Sequence, residues 1–512
     1  MKFAYRSRRQ VRTFSGYQQL PDWASWTSGL TLGVSFGLLL SGIAAIISGV
    51  VGLHDTASQT PALLIAGSIS ALLGSFIFSR VRPPSEHRIA DIFAGFFSLS
   101  VCSIINCGVI FYITDSVGHF DTALYEATVS LTTTALSTLD TARISPEIQF
   151  FRGSLQWLGG LIVLILGAAI IPVAGSKSEP SIQIERNEVL ALGNTRQVAI
   201  FSILRIYIPL TFFLWVAFAS AGIGVFDGLL LGMSTVSTGG FVPEGNPFDD
   251  PTTQWIAIAG MCLSGTSFVV LWRLASRKIG ELRNSFELKV YFLVITLSAT
   301  MLFIFSHDFS YENFRSSLFV AASALSTTGF PVTITGEWIP VFTVLILLIT
   351  AIGGMAGSVS GGFSIRSLII LIRLSIREMV RQLHPRSVSS IRIDDKSLSE
   401  STVDHAVVLQ FLFVSIVAIT CIGVSITELD LFSGLNAAVH SAATAGPLRS
   451  INGDLIEVSE WTRPTRSLLM PTMIFGWLAI FPVLVVAGEF ISFLKSKFRS
   501  LKRSAIRTRS NE

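Results

Sequence analysis

The sequence predicts an all-α membrane protein in which four repeats of span, half-helix, filter strand and span surround a pseudo-four-fold pore, preceded by two extra transmembrane helices. Three observations predict it. The chain of 512 residues is 50% hydrophobic and 14% charged, with mean hydropathy +0.63, against about 25% charged in soluble domains. Apolar runs of roughly 20 residues, enough to span, lie near 28–52, 60–79, 91–114, 155–174, 201–224, 254–273, 287–307, 338–375 (interrupted), 406–428 and 467–494, ten in all. Finally, four short segments of small hydroxyl residues and glycine recur: TTTALS from Thr132, STGGF from Ser237, STTGF from Ser326 and ATAGP from Ala443. Taking Ala135, Gly239, Gly329 and Gly446 as equivalent gives intervals of about 104, 90 and 117 residues, the size of one unit used four times.

In order, residues 1–88 comprise a basic N-terminus and the extra helix pair, 89–178 the first pore repeat, 179–279 the second, 280–397 the third and 398–512 the fourth with a tail. Lys and Arg crowd Met1–Arg12, Arg80–Arg88, the 175–198 loop, 273–289, 366–396 and the tail from Lys495; the opposite loops hold only Arg143, Arg152, Arg315, Arg449, Arg463 and Arg466. Basic loops stay in the cytoplasm, so both termini are expected there and the four short segments on the outside. The same sorting accounts for the net charge of +4, and no nucleic-acid partner is implied. Cys102, Cys107, Cys262 and Cys421 lie inside expected spans and read as packing residues. Trp23–Leu53 reads as a span rather than a cleavable signal.

Within each outer loop a short apolar stretch runs to the glycine position: Phe120 to Ala135, Phe226 to Gly239, Phe314 to Gly329 and Leu431 to Gly446. A helix of about 12 residues covers about 18 Å, so it enters the membrane halfway and the chain returns as non-helical backbone. Such backbone is tolerated only where protein buries it or it lines a water-filled cavity. Each half-helix would aim its negative carboxyl end at the axis, and the strand after it would offer carbonyls in place of an ion's hydration shell. Both favour cations. The expected filter is Thr132, Thr133, Thr134, Ala135, Thr238, Gly239, Thr327, Thr328, Gly329, Thr444, Ala445 and Gly446, with Asp140 a candidate for a cation-attracting mouth.

A second motif interrupts the eighth run. Gly353, Gly354, Gly357, Ser358, Ser360, Gly361 and Gly362 crowd into one stretch, which cannot hold a straight, well-packed helix.

The four filter segments, Leu155–Gly160 (LQWLGG) and Ile352–Gly362 (IGGMAGSVSGG) together resemble the Trk/Ktr/HKT superfamily of cation transporters, most closely its bacterial TrkH branch. The resemblance covers nearly the whole chain. It implies potassium uptake across the plasma membrane (the bacterial inner membrane), potassium ions held at the filter residues as substrate, and no bound cofactor. It also implies that 353–362 is an intramembrane gate, that the chain forms a homodimer with one pore per chain, and that a cytoplasmic ring of TrkA-like nucleotide-binding subunits regulates it. The basic 366–396 and 495–509 segments would face that ring or anionic lipid.

Three departures from the family pattern bear on selectivity. Ala135 stands where bacterial members usually have glycine, and Trp477 and Ala479 stand where the last helix usually carries Arg and Glu. ATAGP replaces the usual N-x-G-P-G. Beside potassium uptake, two alternatives follow: a sodium-permeable or weakly selective transporter, and a degenerate paralogous partner subunit with an assembly or regulatory role. Enzyme function is not expected. The seven histidines show no paired-ligand spacing, and the expected spans carry few ionisable groups of the kind intramembrane catalysis needs.

Overall fold

The computed structural model describes residues 23–53, 59–81, 89–174, 196–277, 285–384, 390–393 and 396–478, with Gly280 and Gly488. Among these residues one sheet occurs, a two-stranded hairpin of Arg392–Ile393 and Lys396–Ser397. The rest of the architecture is helical.

Helices α1 (Trp23–Gly52) and α2 (Thr60–Arg80) are the extra pair, and both pack with α3 (Ile89–Ile113). Small residues set how closely they approach. A Cβ on Gly33 would strike the Gly95 carbonyl, and one on Gly42 would lie 2.7 Å from the Gly67 carbonyl oxygen. Lipid supplies no hydrophobic drive between helices, so close backbone packing and interhelical hydrogen bonds take its place. Asn106 provides the latter: its Nδ2 donates to Ser41 Oγ at 2.7 Å, and its Oδ1 accepts from Ser70 Oγ at 2.9 Å.

From α3 onward one pattern is met four times. A span is followed by a short helix, an extended return and a second span: α3, α4 (Phe120–Leu131) and α5 (Pro146–Ala174); then α6 (Arg196–Phe218), α7 (Val225–Val236), and α8 (Pro251–Ser264) with α9 (Phe268–Ala275). The third set is α10 (Phe286–Phe305), α11 (Tyr311–Leu325), and α12 (Pro340–Ile352) with α13 (Ile365–Leu383); the fourth is α14 (Glu400–Thr427), α15 (Leu431–Ala442) and α16 (Arg463–Trp477). Each short helix packs against the span before it. Large apolar side chains on the span exteriors, among them Phe213, Leu293 and Phe411, are exposed, as a lipid-facing surface requires.

Of the ten expected spans, seven are helices long and apolar enough to cross a membrane. The other three differ. Residues 254–273 do not form one span: α8 and α9 meet at 105°, because Ser264–Ser267 (SGTS) places glycine and hydroxyl residues, poor helix formers, mid-run. The 338–375 run breaks between Ile352 and Ile365, as the glycine content predicts. The last run is helical to Trp477, and 479–487 and 489–494 lie outside the described residues.

Candidate functional site

The four short helices end in the same way. After the last helical residue comes a cap (Thr132, Ser237, Ser326, Ala443), then a threonine with positive φ: Thr133 at 56°, Thr238 at 51°, Thr327 at 56° and Thr444 at 49°. The next amide donates back to the carbonyl five residues earlier, Thr134 to Val129, Gly239 to Ser234, Thr328 to Ser323 and Ala445 to His440, at 2.8–3.1 Å. This is a Schellman ending, which normally recruits glycine at the left-handed position. A β-branched residue there is a genuine outlier costing about 1–2 kcal/mol, and such strain persists only where the surroundings over-determine it.

This geometry corrects the register of the second repeat. Counting from each strained threonine, the equivalents of Ala135 are Gly240, Gly329 and Gly446, so Gly239 matches Thr134, Thr328 and Ala445 instead. The STGGF segment offers two adjacent glycines, and helix length alone decides between them. The four residues close into a ring. A Cβ on Gly240 would run into the Thr328 carbonyl and lie 2.6 Å from Ala135 Cβ; one on Gly329 would lie 2.6 Å from Gly446 N; one on Gly446 would lie 2.7 Å from Ala135 Cβ. One methyl group fits in this ring, and Ala135 supplies it.

Two of the residues just before the ring pair their hydroxyls with the cap residue of their own helix. Thr134 Oγ1 pairs with Thr132 Oγ1 at 2.9 Å and Thr328 Oγ1 with Ser326 Oγ at 2.8 Å, all buried. These hydroxyls, expected among the filter groups, pair with one another inside the protein. In the second repeat Gln156 of α5 fills that space, donating from Nε2 to the Gly239 carbonyl at 2.6 Å.

Charged groups brace the returning strands. Glu126 of α4, fully buried, accepts from the Thr138 amide at 2.6 Å, the Thr138 hydroxyl at 2.7 Å and the Ser137 hydroxyl at 2.9 Å, with Arg152 at 3.9 Å. Arg152 also donates to Ser137 Oγ at 2.6 Å and stacks over Phe241, 4.2 Å from its centroid, joining the first repeat to the second. Arg449 likewise donates to the Val332 carbonyl at 2.6 Å and the Gly453 carbonyl at 3.0 Å, joining the fourth repeat to the third. Burial lowers its pKa to about 10, which leaves it cationic at neutral pH. Asp140 instead caps the short turn at Thr141–Arg143 and pairs with Arg143 at 3.2 Å.

The glycine-rich loop lies against the threonine side of the ring. Gly361 N–H donates to Thr327 Oγ1 at 2.9 Å, and a Cβ on Gly361 would meet the Ala443 carbonyl and lie 2.5 Å from Thr444 Oγ1. A Cβ on Gly160 would sit 2.9 Å from Val359 Cγ1 and 3.1 Å from Ser237 Cα, so the loop reaches elements of all four repeats. Gly353, Gly357 and Gly362 take φ of 71°, 77° and 78°, which their lack of a Cβ permits. The other half of the loop is sewn into the break between α8 and α9. Met355 N–H donates to the Gly265 carbonyl and Phe268 N–H to the Gly357 carbonyl, both at 3.0 Å. Glu287 accepts from the Ala356 amide at 2.8 Å and from Arg366 at 2.6 and 2.9 Å. Gly354 and Ser358 lie in this sewn half, and Ser360 in the half below the ring.

Trp477 is 5% exposed and packs in the cluster that contains Leu131, Leu155 and Ile162; Ala479 lies outside the described residues. Glu126, Gly265 and Glu287 carry no role in the sequence reading, and Gln156 and Gly240 enter it only as members of the LQWLGG and STGGF motifs. A carboxylate in the middle of the first half-helix, and small polar residues in mid-span, are the signals the sequence offers.

These features define a polytopic, all-α membrane protein, and its family is one of transporters rather than enzymes. The chain belongs to the TrkH family, described as cation transport protein, whose model matches residues 94–492. Among similar proteins, the Trk system potassium uptake protein TrkH of Vibrio parahaemolyticus is 28% identical over 389 residues, 71% of this chain and 78% of the relative. The Trk system potassium uptake protein TrkG of Escherichia coli is 27% identical over 393 residues, 72% of this chain and 79% of the relative. The crystal structure of the potassium transporter TrkH from Vibrio parahaemolyticus superposes with a TM-score of 0.79 at 24% identity, covering 89% of this chain and 98% of that one. The fold is shared.

Proposed function

We propose that the chain takes up potassium ions across the plasma membrane, the inner membrane of a bacterium, with both termini in the cytoplasm and potassium as its substrate. The observation that carries this reading is the closed ring of Ala135, Gly240, Gly329 and Gly446 at the carboxyl ends of four half-helices. Negative dipole ends and close backbone suit a dehydrated monovalent cation. The filter then comprises Thr132–Ala135, Thr238–Gly240, Thr327–Gly329 and Thr444–Gly446. The 353–362 loop, seated on Thr327 and beside Thr444, is the gate in its closed position. The relatives' names as potassium uptake proteins support the choice of ion.

The repeats follow the divisions 89–178, 179–279, 280–397 and 398–512 after an extra pair in 1–88. A homodimer with a TrkA-like cytoplasmic ring is the proposed assembly, which the relatives' designation as parts of a Trk system supports. Ala135 favours a second reading, a sodium-permeable filter, because its methyl group makes the ring asymmetric. Flux in proteoliposomes under potassium, rubidium and sodium gradients, with and without a co-purified cytoplasmic partner, decides between them. Sodium flux equal to potassium flux overturns the first reading; no flux of any ion leaves the partner-subunit alternative.

A further inference from the structure

Gln156 is fully buried in α5, and its amide reaches across a repeat boundary to a backbone carbonyl one residue before the ring. The opposite side of the same amide, Oε1, has no hydrogen-bond partner among the described residues. The bond made by Nε2 ties α5 of the first repeat to the returning strand of the second. Gly239 is shaped for it, since a Cβ there would lie 2.5 Å from Gln156 Cδ and 2.9 Å from Nε2. The other repeats carry Thr134, Thr328 and Ala445 at this position, and the two threonines pair their hydroxyls with Thr132 and Ser326 of their own repeats.

Resting on the filter reading above, we infer that Gln156 is a specificity-determining positioning residue, which holds the Gly239 carbonyl and sets the field that this side of the filter presents to a cation. A carbonyl already accepting from an amide offers a passing ion a weaker field than a free one. A weaker field favours the larger, more easily dehydrated ion. Gln156 thereby biases the second repeat toward potassium over sodium, on the side of the ring next to Ala135.

The test is the potassium-to-sodium permeability ratio of reconstituted protein. Gln156→Leu keeps the volume, removes the donor and also removes the unmet acceptor, so it is expected to reach the membrane. The ratio should fall about two- to tenfold, the range that one net hydrogen bond spans, while potassium flux persists. Gln156→Glu, which sets an oxygen against the carbonyl, should lower it further. A second measurement stands independent of that variant: Gly239→Ala should lose flux through collision with the amide, and Gln156→Ala/Gly239→Ala should recover it. An unchanged ratio in Gln156→Leu overturns the inference, as does a Gly239→Ala defect that Gln156→Ala does not relieve. Gly446→Asp separates the two layers of argument. If it leaves flux intact, the filter reading falls; if it abolishes flux while Gln156→Leu behaves as wild type, only the role of Gln156 falls.

Discussion

Thr327 joins the two halves of the proposed machine, and its hydroxyl gives a direct test of the gate. The perturbation is Thr327→Val, which keeps the β-branched shape and the strained backbone but removes the acceptor for Gly361 N–H. That bond is 2.9 Å long and buried on the threonine side. A neutral hydrogen bond of this kind is worth about 1 kcal/mol net. If the loop is closed in the resting protein, losing that amount shifts the closed-to-open ratio about fivefold. The assay is basal potassium flux into proteoliposomes without a cytoplasmic partner, normalised to protein in the membrane. Flux should rise about fivefold in Thr327→Val and stay near wild type in Thr327→Ser, which retains the hydroxyl. The potassium-to-rubidium ratio should not move in either variant, because the hydroxyl faces the loop. Flux unchanged or lowered in Thr327→Val at normal expression would show that the 353–362 loop is packing rather than gate.

Other predictions concern the ring and its braces. Gly329→Ala drives a methyl group into Gly446 and should abolish flux while the protein still reaches the membrane; wild-type flux in this variant contradicts the closed ring. Ala135→Gly should raise potassium-over-sodium selection, as current reversal would report, and no change in a wild type that already excludes sodium makes the alanine a tolerated variant. Arg152→Met strands Glu126 without its buried cationic partner, a change that typically costs about 3–5 kcal/mol. Thermal unfolding in detergent should drop accordingly, and Glu126→Gln/Arg152→Met should be milder than Arg152→Met alone; equal drops would show that the pair contributes little. Glu287→Gln weakens the anchor to Arg366 and Ala356 and should raise basal flux, with trypsin cleavage near 353–366 as a second readout of a loosened loop.

Features that depend on local pattern are legible in the chain alone. Membrane class followed from hydropathy, and the four half-helices from apolar stretches too short to cross, starting at Phe120, Phe226, Phe314 and Leu431. All lie within a few residues of the starts of α4, α7, α11 and α15. The break after Ile352 was legible because glycine cannot sustain a packed helix. Tertiary structure decided the rest, because the deciding partners lie far apart in the chain. Gly239 and Gly240 are indistinguishable in the sequence, and the packing of Gly240 against Ala135 and Thr328 of other repeats shows which one enters the ring. The SGTS stretch at Gly265 weakens the helix locally, but what bonds to the opened backbone there is the loop from Met355 to Gly357, about 90 residues later. Glu126, Arg152, Gln156 and Glu287 appear as isolated polar residues because burial and pairing are properties of neighbours brought together by folding. In a membrane every such group must find its partner within the protein. The chain carries the groups in plain view, and only the packing of the four repeats around one axis assigns the pairs.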